Sequence, residues 1–232
     1  MIVMYHKVDI ITPSRWWVSI DKFREQIGLL EKFHFVHLDD YEPSGTSQVI
    51  ITFDDAYENV YTHAFPVLKK RRIPFEVFII GDVLGDWNDF DTSEAKTRFC
   101  SQWQLQEMAE YGARIQWHTR NHSRLTRLDQ AEIEIQLAVP KELTAMFPQP
   151  HFRWFAYTYG AHDQHIVAQV RERFAGALSV NNGSPGDRYQ INRVTADEDW
   201  TPYTETSCSA PTGMHPPFKL TQSRARKELS PR

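Results

Sequence analysis

A closed or distorted (β/α) barrel of about seven or eight strands is the α/β fold that this sequence predicts, and three observations predict it. Short β-branched and aromatic runs alternate with stretches of helical spacing along most of the chain, the pattern of a parallel sheet with helical crossovers. About eight such runs can be counted, which suits a barrel better than a flat doubly wound sheet. The side chains richest in chemistry stand directly behind these runs, where α/β folds bind their ligands.

Taken in order, Met1–Tyr5 reads as the first strand, with His6 behind it. After a polar loop, Ser19 caps a helix whose apolar face is Phe23, Ile27 and Leu30. Phe35–Leu38 reads as a short strand, and Pro43-Ser44-Gly45 turns the chain into the uncharged run Val49–Phe53. That run ends abruptly in Asp54-Asp55. The spacing of Val60, Ala64 and Leu68 predicts a helix over Tyr57–Arg72 that Pro66 kinks or restarts. Phe75–Ile80 is a buried strand, followed by a long acidic loop from Asp82 to Asp91 that carries Trp87. Ser101 and Gln104 form a capping box for a helix through Leu105 and Met108, which Gly112 stops. Arg114–Trp117 is a strand with His118 behind it. Asp129 and Glu132 make a second capping box, opening a helix to about Phe147 that Pro140 bends. Trp154–Tyr157 is a strand ending at Thr158-Tyr159-Gly160, Asp163–Phe174 a helix, and Ala177–Val180 and Gln190–Val194 the last strands. From about Thr201 the periodicity gives way to Pro, Ser, Thr and basic residues. Residues 1–200 therefore read as one domain and 201–232 as an irregular, poorly ordered tail.

Composition removes several function classes. With 232 residues, 41% of them hydrophobic, the chain can build one sizeable core. A net charge of −4 gives no electrostatic footprint for nucleic acid. Cys100 and Cys208 make neither a disulfide framework nor a cysteine zinc site. Nothing approaches a membrane span, and no phosphate-binding glycine motif follows a strand. The expectation is a soluble protein, cytoplasmic by default, with export through a missing upstream signal left open. Oligomeric state is not legible.

The tandem acids carry the chemical argument. An unpaired carboxylate inside a core is too costly, so the pair belongs at a cleft, a helix N-terminus or a metal. The plain reading is one helix cap and one solvated acid. His118 and His122, four apart, would share one side of a helical turn and grip one ion. Two histidines and a carboxylate make a three-ligand set for a catalytic metal with open positions. Both halves stand on strand ends of one alternating pattern.

Thr52-Phe53-Asp54-Asp55 and His118-Thr119-x-x-His122 resemble the first two motifs of the polysaccharide deacetylases, the NodB-homology domain of carbohydrate esterase family 4. Phe155-Ala156-Tyr157-Thr158-Tyr159-Gly160 is similar to the third motif and nearest the poly-N-acetylglucosamine deacetylase branch, as are Met4-Tyr5-His6 and Pro66-Val67-Leu68-Lys69-Lys70. The resemblance spans roughly Met1 to Asp199. It implies the distorted barrel of that family, a divalent metal, most often zinc, held by Asp55, His118 and His122, and Asp54 as general base. The implied reaction is hydrolytic removal of acetyl from an N-acetylated glycan by a water that the metal activates. The backbone N–H of Tyr159 would help stabilise the oxyanion.

The chain departs from the pattern at several points. Ala56 stands where Gly is frequent, Ser123 where Pro is usual, and Thr158 where the motif has Pro, which would loosen that turn. Ala156 replaces an Arg that orients the base, and Arg153 is out of register with it. The late Leu-x-His motif is not visible; His215 lies in the tail, which leaves His6 as the candidate general acid. His151, His162 and His165 read as solvated, as does the acidic loop. Trp87 and Tyr159 are candidates for stacking on sugar, whereas Trp103 reads as core. Two alternatives to the deacetylase remain: an amidohydrolase acting on a non-sugar amide, and a catalytically weakened domain that keeps its metal and binds a glycan.

Overall fold

The computed structural model describes residues 1–42, 47–180 and 182–202. The turn expected at Pro43-Ser44-Gly45, and residues 203–232 of the expected tail with Cys208 and His215, therefore lie outside the described residues. In chain order the elements are β1 (Ile2–Tyr5), β2 (Lys7–Asp9), β3 (Trp17–Ser19), α1 (Ile20–Leu30), β4 (His34–Phe35), β5 (Gln48–Asp55), α2 (Phe65–Arg71), β6 (Phe75–Ile79), α3 (Gln102–Glu110), β7 (Ala113–Trp117), α4 (Gln130–Leu137), α5 (Lys141–Met146), β8 (Trp154–Ala156), α6 (Gln164–Arg171), β9 (Gly176–Ser179), β10 (Ile191–Asn192) and β11 (Val194–Thr195).

Eight strands pair in the order β10-β9-β8-β7-β6-β5-β1-β11, every pairing parallel, and β4 adds to β5. The sheet curls into a nearly closed barrel, the architecture expected from the alternating pattern. Its two edge strands, β10 and β11, are separated in sequence by Arg193 alone. The polypeptide itself thus crosses the seam.

Strand alternation sorts the side chains. Val3, Tyr5, Ile51, Phe53, Phe75, Val77, Ile79, Ile115 and Trp117 face outward and pack under the helices, including Phe23, Ile27 and Leu30 of α1. Each such fully buried large side chain contributes about 1.5–3 kcal/mol. Ile2, Ile50, Phe78, Trp154, Ala156 and Leu178 fill the interior. At its closed end Glu76 accepts hydrogen bonds from the Leu38 amide and Gln116 and lies 3.0 Å from His37 Nδ1, so this buried carboxylate is satisfied. The ligand-facing end is the opposite one.

The caps stand where the sequence places them: Ser19 opens α1, while Ser101–Gln104 and Asp129–Glu132 close both bonds of their capping boxes. Proline divides more than it bends. Residues Val60–Ala64 form a π-helical turn before α2 restarts at Phe65-Pro66, and Pro140 splits the predicted helix to Phe147 into α4 and α5. Phe35–Leu38 is not one strand, since Leu38 begins a 3₁₀ turn. The polar loop before Ser19 contains a parallel pair, β2 with β3, too short and too polar at Lys7 and Asp9 to show periodicity. Among the described residues no helix is long and apolar enough to cross a membrane.

Candidate active site

The end of β5 shows how adjacent acids reach one cleft. Alternation points Asp54 inward with Ile50 and Thr52, and would point Asp55 away. Instead Asp55 and Ala56 take left-handed backbone conformations, φ 69° and 60°, and curl Asp55 back toward the barrel mouth. Such conformations cost about 1–3 kcal/mol for a non-glycine residue and persist where surroundings enforce them. Here Cys100 N–H donates to the Ala56 carbonyl at 2.7 Å, and Ala56 is fully buried.

Asp55 Oδ1 lies 3.5 Å from His118 Nε2 and 3.4 Å from His122 Nε2, and one ligand atom from each of the three residues falls within 4.8 Å of the others. His118 Nδ1 stands 2.7 Å from the Ala156 carbonyl, which can only accept, so Nδ1 carries the proton and Nε2 turns its lone pair to Asp55. Burial pushes Asp55 up to about 6, lowers His118, and lowers His122 to about 4. His118 therefore turns an acceptor nitrogen toward the Asp55 carboxylate, and His122 completes the group, with Asp55 Oδ1 and His122 Nδ1 buried and without a hydrogen-bond partner. A cation is what such a set lacks. Two nitrogens and one oxygen suit zinc.

The histidine pair is not on a helical turn. Thr119 (φ 71°) and His122 (φ 63°) are left-handed, and the segment is a loop tied from several sides. Gly81 N–H donates to Thr119 O, Asp82 N–H to Arg120 O, and the Asp82 carboxylate receives the Arg120 guanidinium. Buried Gln136 of α4 accepts at Oε1 from the Arg120 and Asn121 amides, 3.1 and 3.3 Å away. The His122 amide donates to Thr119 Oγ1.

Asp54 has a different partner. Arg193 meets it with two 2.6 Å hydrogen bonds, Nη1 to Oδ1 and Nη2 to Oδ2, and both side chains are almost fully buried. Burial alone would raise the Asp54 pKa; the Arg193 charge and hydrogen bonds overcome it and hold the carboxyl at about 2. Arg193 also donates to Thr52 Oγ1 and to the Ser179 carbonyl. It had no sequence signal, since it lies between two dipeptide strands 139 positions from Asp54. Arg153 serves elsewhere, paired with Asp39.

His6 lines the cleft with its ring 4.7 Å from Trp16, and burial depresses its pKa to about 3. Tyr159 sits left-handed (φ 59°) in a 3₁₀ turn, its ring 4.6 Å from His122. Thr158 does not loosen that turn: it is fully buried and its hydroxyl donates to the Ser123 carbonyl at 2.6 Å, so two of the departures from the family pattern meet each other. The acidic loop is not simply solvated. Phe90 stacks 5.2 Å from His122 and Asp91 lines the cleft; just beyond the loop Ser93 lines it as well, and Glu94 accepts from Lys7 Nζ and Trp17 Nε1. His162 is likewise engaged, stacked on Tyr157 and 3.1 Å from the Gly160 carbonyl, and His151 Nδ1 accepts from the Ile115 amide. Trp103 is not core but 58% exposed, and Trp87 lies under Lys96 and Arg98 rather than among the cleft residues. Trp16 and Phe90, unmarked in the sequence, are aromatic residues that do line it. The cleft encloses about 790 Å³.

The model of the polysaccharide deacetylase family matches residues 42–173, more than half of the chain and both motif-bearing strand ends. The chain belongs to the polysaccharide deacetylase family. Among relatives of this deacetylase-family chain, the poly-beta-1,6-N-acetyl-D-glucosamine N-deacetylase of Staphylococcus epidermidis is 30% identical over an alignment of 165 positions that covers 65% of this chain and 55% of that one. The chain spans about half the length of the curated relatives it matches. Among solved structures, IcaB from Ammonifex degensii is 27% identical with a TM-score of 0.67, over 85% of this chain and 91% of that one. The Streptococcus pyogenes deacetylase PplD, solved in complex with acetate, shares the fold at 21% identity, with a TM-score of 0.72 over 86% and 93% of the two chains.

Proposed function

We propose that the chain is a zinc-dependent hydrolase removing N-acetyl groups from an N-acetylated polysaccharide or oligosaccharide. One observation carries the reading: Asp55, His118 and His122 bring one ligand atom each within 4.8 Å of one another at the mouth of a deacetylase-family barrel, with Asp55 Oδ1 and His122 Nδ1 buried and unpartnered. Zinc held by these three would lower the pKa of water toward neutrality and polarise an acetamide carbonyl.

The chain's own residues supply the rest. Asp54 is the base that takes the proton of the attacking water, and Arg193 keeps it ionised and oriented, the part that the family pattern gives to the residue Ala156 replaces. The Tyr159 N–H supports the developing oxyanion. His6 rests neutral, so it can protonate the leaving amine only after gaining a proton within the cycle; after burial, which opposes this, the Asp54 charge is the largest influence on the ring and favours its protonated form. Trp16, Phe90 and Tyr159 offer apolar faces to pyranose rings.

Metal analysis combined with acetate release from a panel of acetylated oligosaccharides, β-1,6-linked N-acetylglucosamine among them, tests this. The expected result is one equivalent of zinc with release of acetate, both lost in Asp55→Asn while the circular dichroism spectrum is unchanged. An Asp55→Asn protein with full metal and full turnover overturns it. The depressed pKa of His6 favours one second reading, a weakened glycan-binding domain, which predicts metal and saccharide binding without acetate release.

A further inference from the structure

Two charged pairs in and beneath the cleft neutralise themselves. Asp54 is matched by Arg193, and Lys7 by Glu94 at 3.2 Å with both side chains nearly inaccessible. Arg124 is not matched. It follows the histidine loop and lines the cleft, with its guanidinium carbon 4.7 Å from the centre of the Tyr159 ring. Among the described residues that guanidinium has no hydrogen bond and no ion pair, so its five N–H donors meet no protein acceptor. Its backbone is fixed nonetheless: the Arg127 amide donates to the Arg124 carbonyl, and the adjoining Leu125 is fully buried.

The wall has an order. Phe90 and Tyr159 flank the His122 ring at 5.2 and 4.6 Å, Asp91 follows Phe90, and Arg124 lies against Tyr159. Asp91 spends Oδ1 on the amide and hydroxyl of Ser93. The far end of the wall, one aromatic ring beyond the metal-type cluster, thus presents an uncompensated cation held against an aromatic face. A guanidinium held in this way loses little freedom on binding, and its planar fork matches a carboxylate. A lone guanidinium without a second cation beside it suits a singly charged planar group better than a phosphate dianion.

We infer that Arg124 determines specificity in this cleft by selecting a saccharide that carries a carboxylate, on the sugar at the cluster or on its neighbour. What then happens to that saccharide rests on the deacetylase reading; its selection does not.

Two disaccharides without an acetamide separate binding from turnover. In calorimetric titration of the zinc-loaded full chain, cellobiouronic acid binds about tenfold more tightly than neutral cellobiose, the increment of one charge-assisted hydrogen-bonded pair. Arg124→Gln removes the preference, and Arg124→Lys, which keeps the charge but not the fork, retains part of it. A kinetic arm locates the carboxylate: acetylated oligosaccharides carrying it as a carboxyalkyl ether on the acetylated ring, or as glucuronate on the neighbouring ring, are compared with neutral ones. Arg124→Gln raises KM on the carboxylate series that fits about tenfold more than on the matching neutral substrates, and the two series then have similar KM. Equal affinity for the two disaccharides, no binding of either, or a preference that survives Arg124→Gln overturns the assignment. A preference lost in Arg124→Gln without acetate release from any oligomer keeps Arg124 and removes the deacetylase reading instead.

Discussion

Asp54 and Asp55 adjoin in sequence and are about equally buried, at 3% and 5% exposure, yet their surroundings treat them oppositely. On the Arg193 side of the cleft floor the charge is answered within the protein, and the carboxyl is held at about 2. On the histidine side no arginine or lysine is bonded to the carboxylate among the described residues, and burial lifts the carboxyl to about 6. The difference teaches that depth alone does not decide whether a buried acid is ionised; the partner does. A side finished by the chain is fit to orient a base, and a side left unfinished is fit to take a cation.

The largest break in this comparison comes from removing the finished side's partner. Arg193→Ala strands a buried carboxylate and is expected to cost about 3–5 kcal/mol in chemical denaturation; a loss under about 1 kcal/mol would mean that Asp54 is not held as described. Second, the two acids give stability opposite pH dependence. The Asp54 pKa lies below the ordinary 3.8, so its contribution is present above that value and fades as pH falls through about 2. The Asp55 pKa lies above 3.8, so the metal-free protein loses stability as pH rises from about 4 to 6. Metal-free wild type should therefore decline by about 2–3 kcal/mol relative to Asp55→Asn over that interval, and a pH-independent difference between the two would refute the asymmetry. Third, Gln136→Met frees the amides of Arg120 and Asn121 and should weaken zinc binding about tenfold with little change in denaturation midpoint; unchanged affinity would show that the loop holds its shape without α4. Smallest, Thr158→Val deletes the bond to Ser123 and should cost about 1 kcal/mol, so a neutral result would return that turn to the loose state its missing proline suggests.

What could be read in the sequence follows from range. Caps and strand ends are local, so Ser19, Ser101–Gln104 and Asp129–Glu132 and the positions of Asp54, Asp55, His118 and His122 were all legible. The spacing of the two histidines suggested a helical turn because i,i+4 is a helical distance, but nothing marks Thr119 and His122 for left-handed backbone when neither is glycine. Arg193 was hidden for the opposite reason: its partner is settled by barrel closure. Arg124, Trp16 and Phe90 belong to loops whose course only tertiary structure defines. Trp103 misled because an aromatic residue in a helix is ordinarily packed, whereas here it lies at the surface against Tyr61.

The seam residue has a temporal consequence. A ribosome delivers Asp54 long before Arg193, so a nascent chain that stops short of β10 holds the acid with no counter-ion and a barrel wall with no closing strap. Zipping the cylinder shut and giving Asp54 its counter-ion are then one event, delayed to the last stretch of the domain to be synthesised.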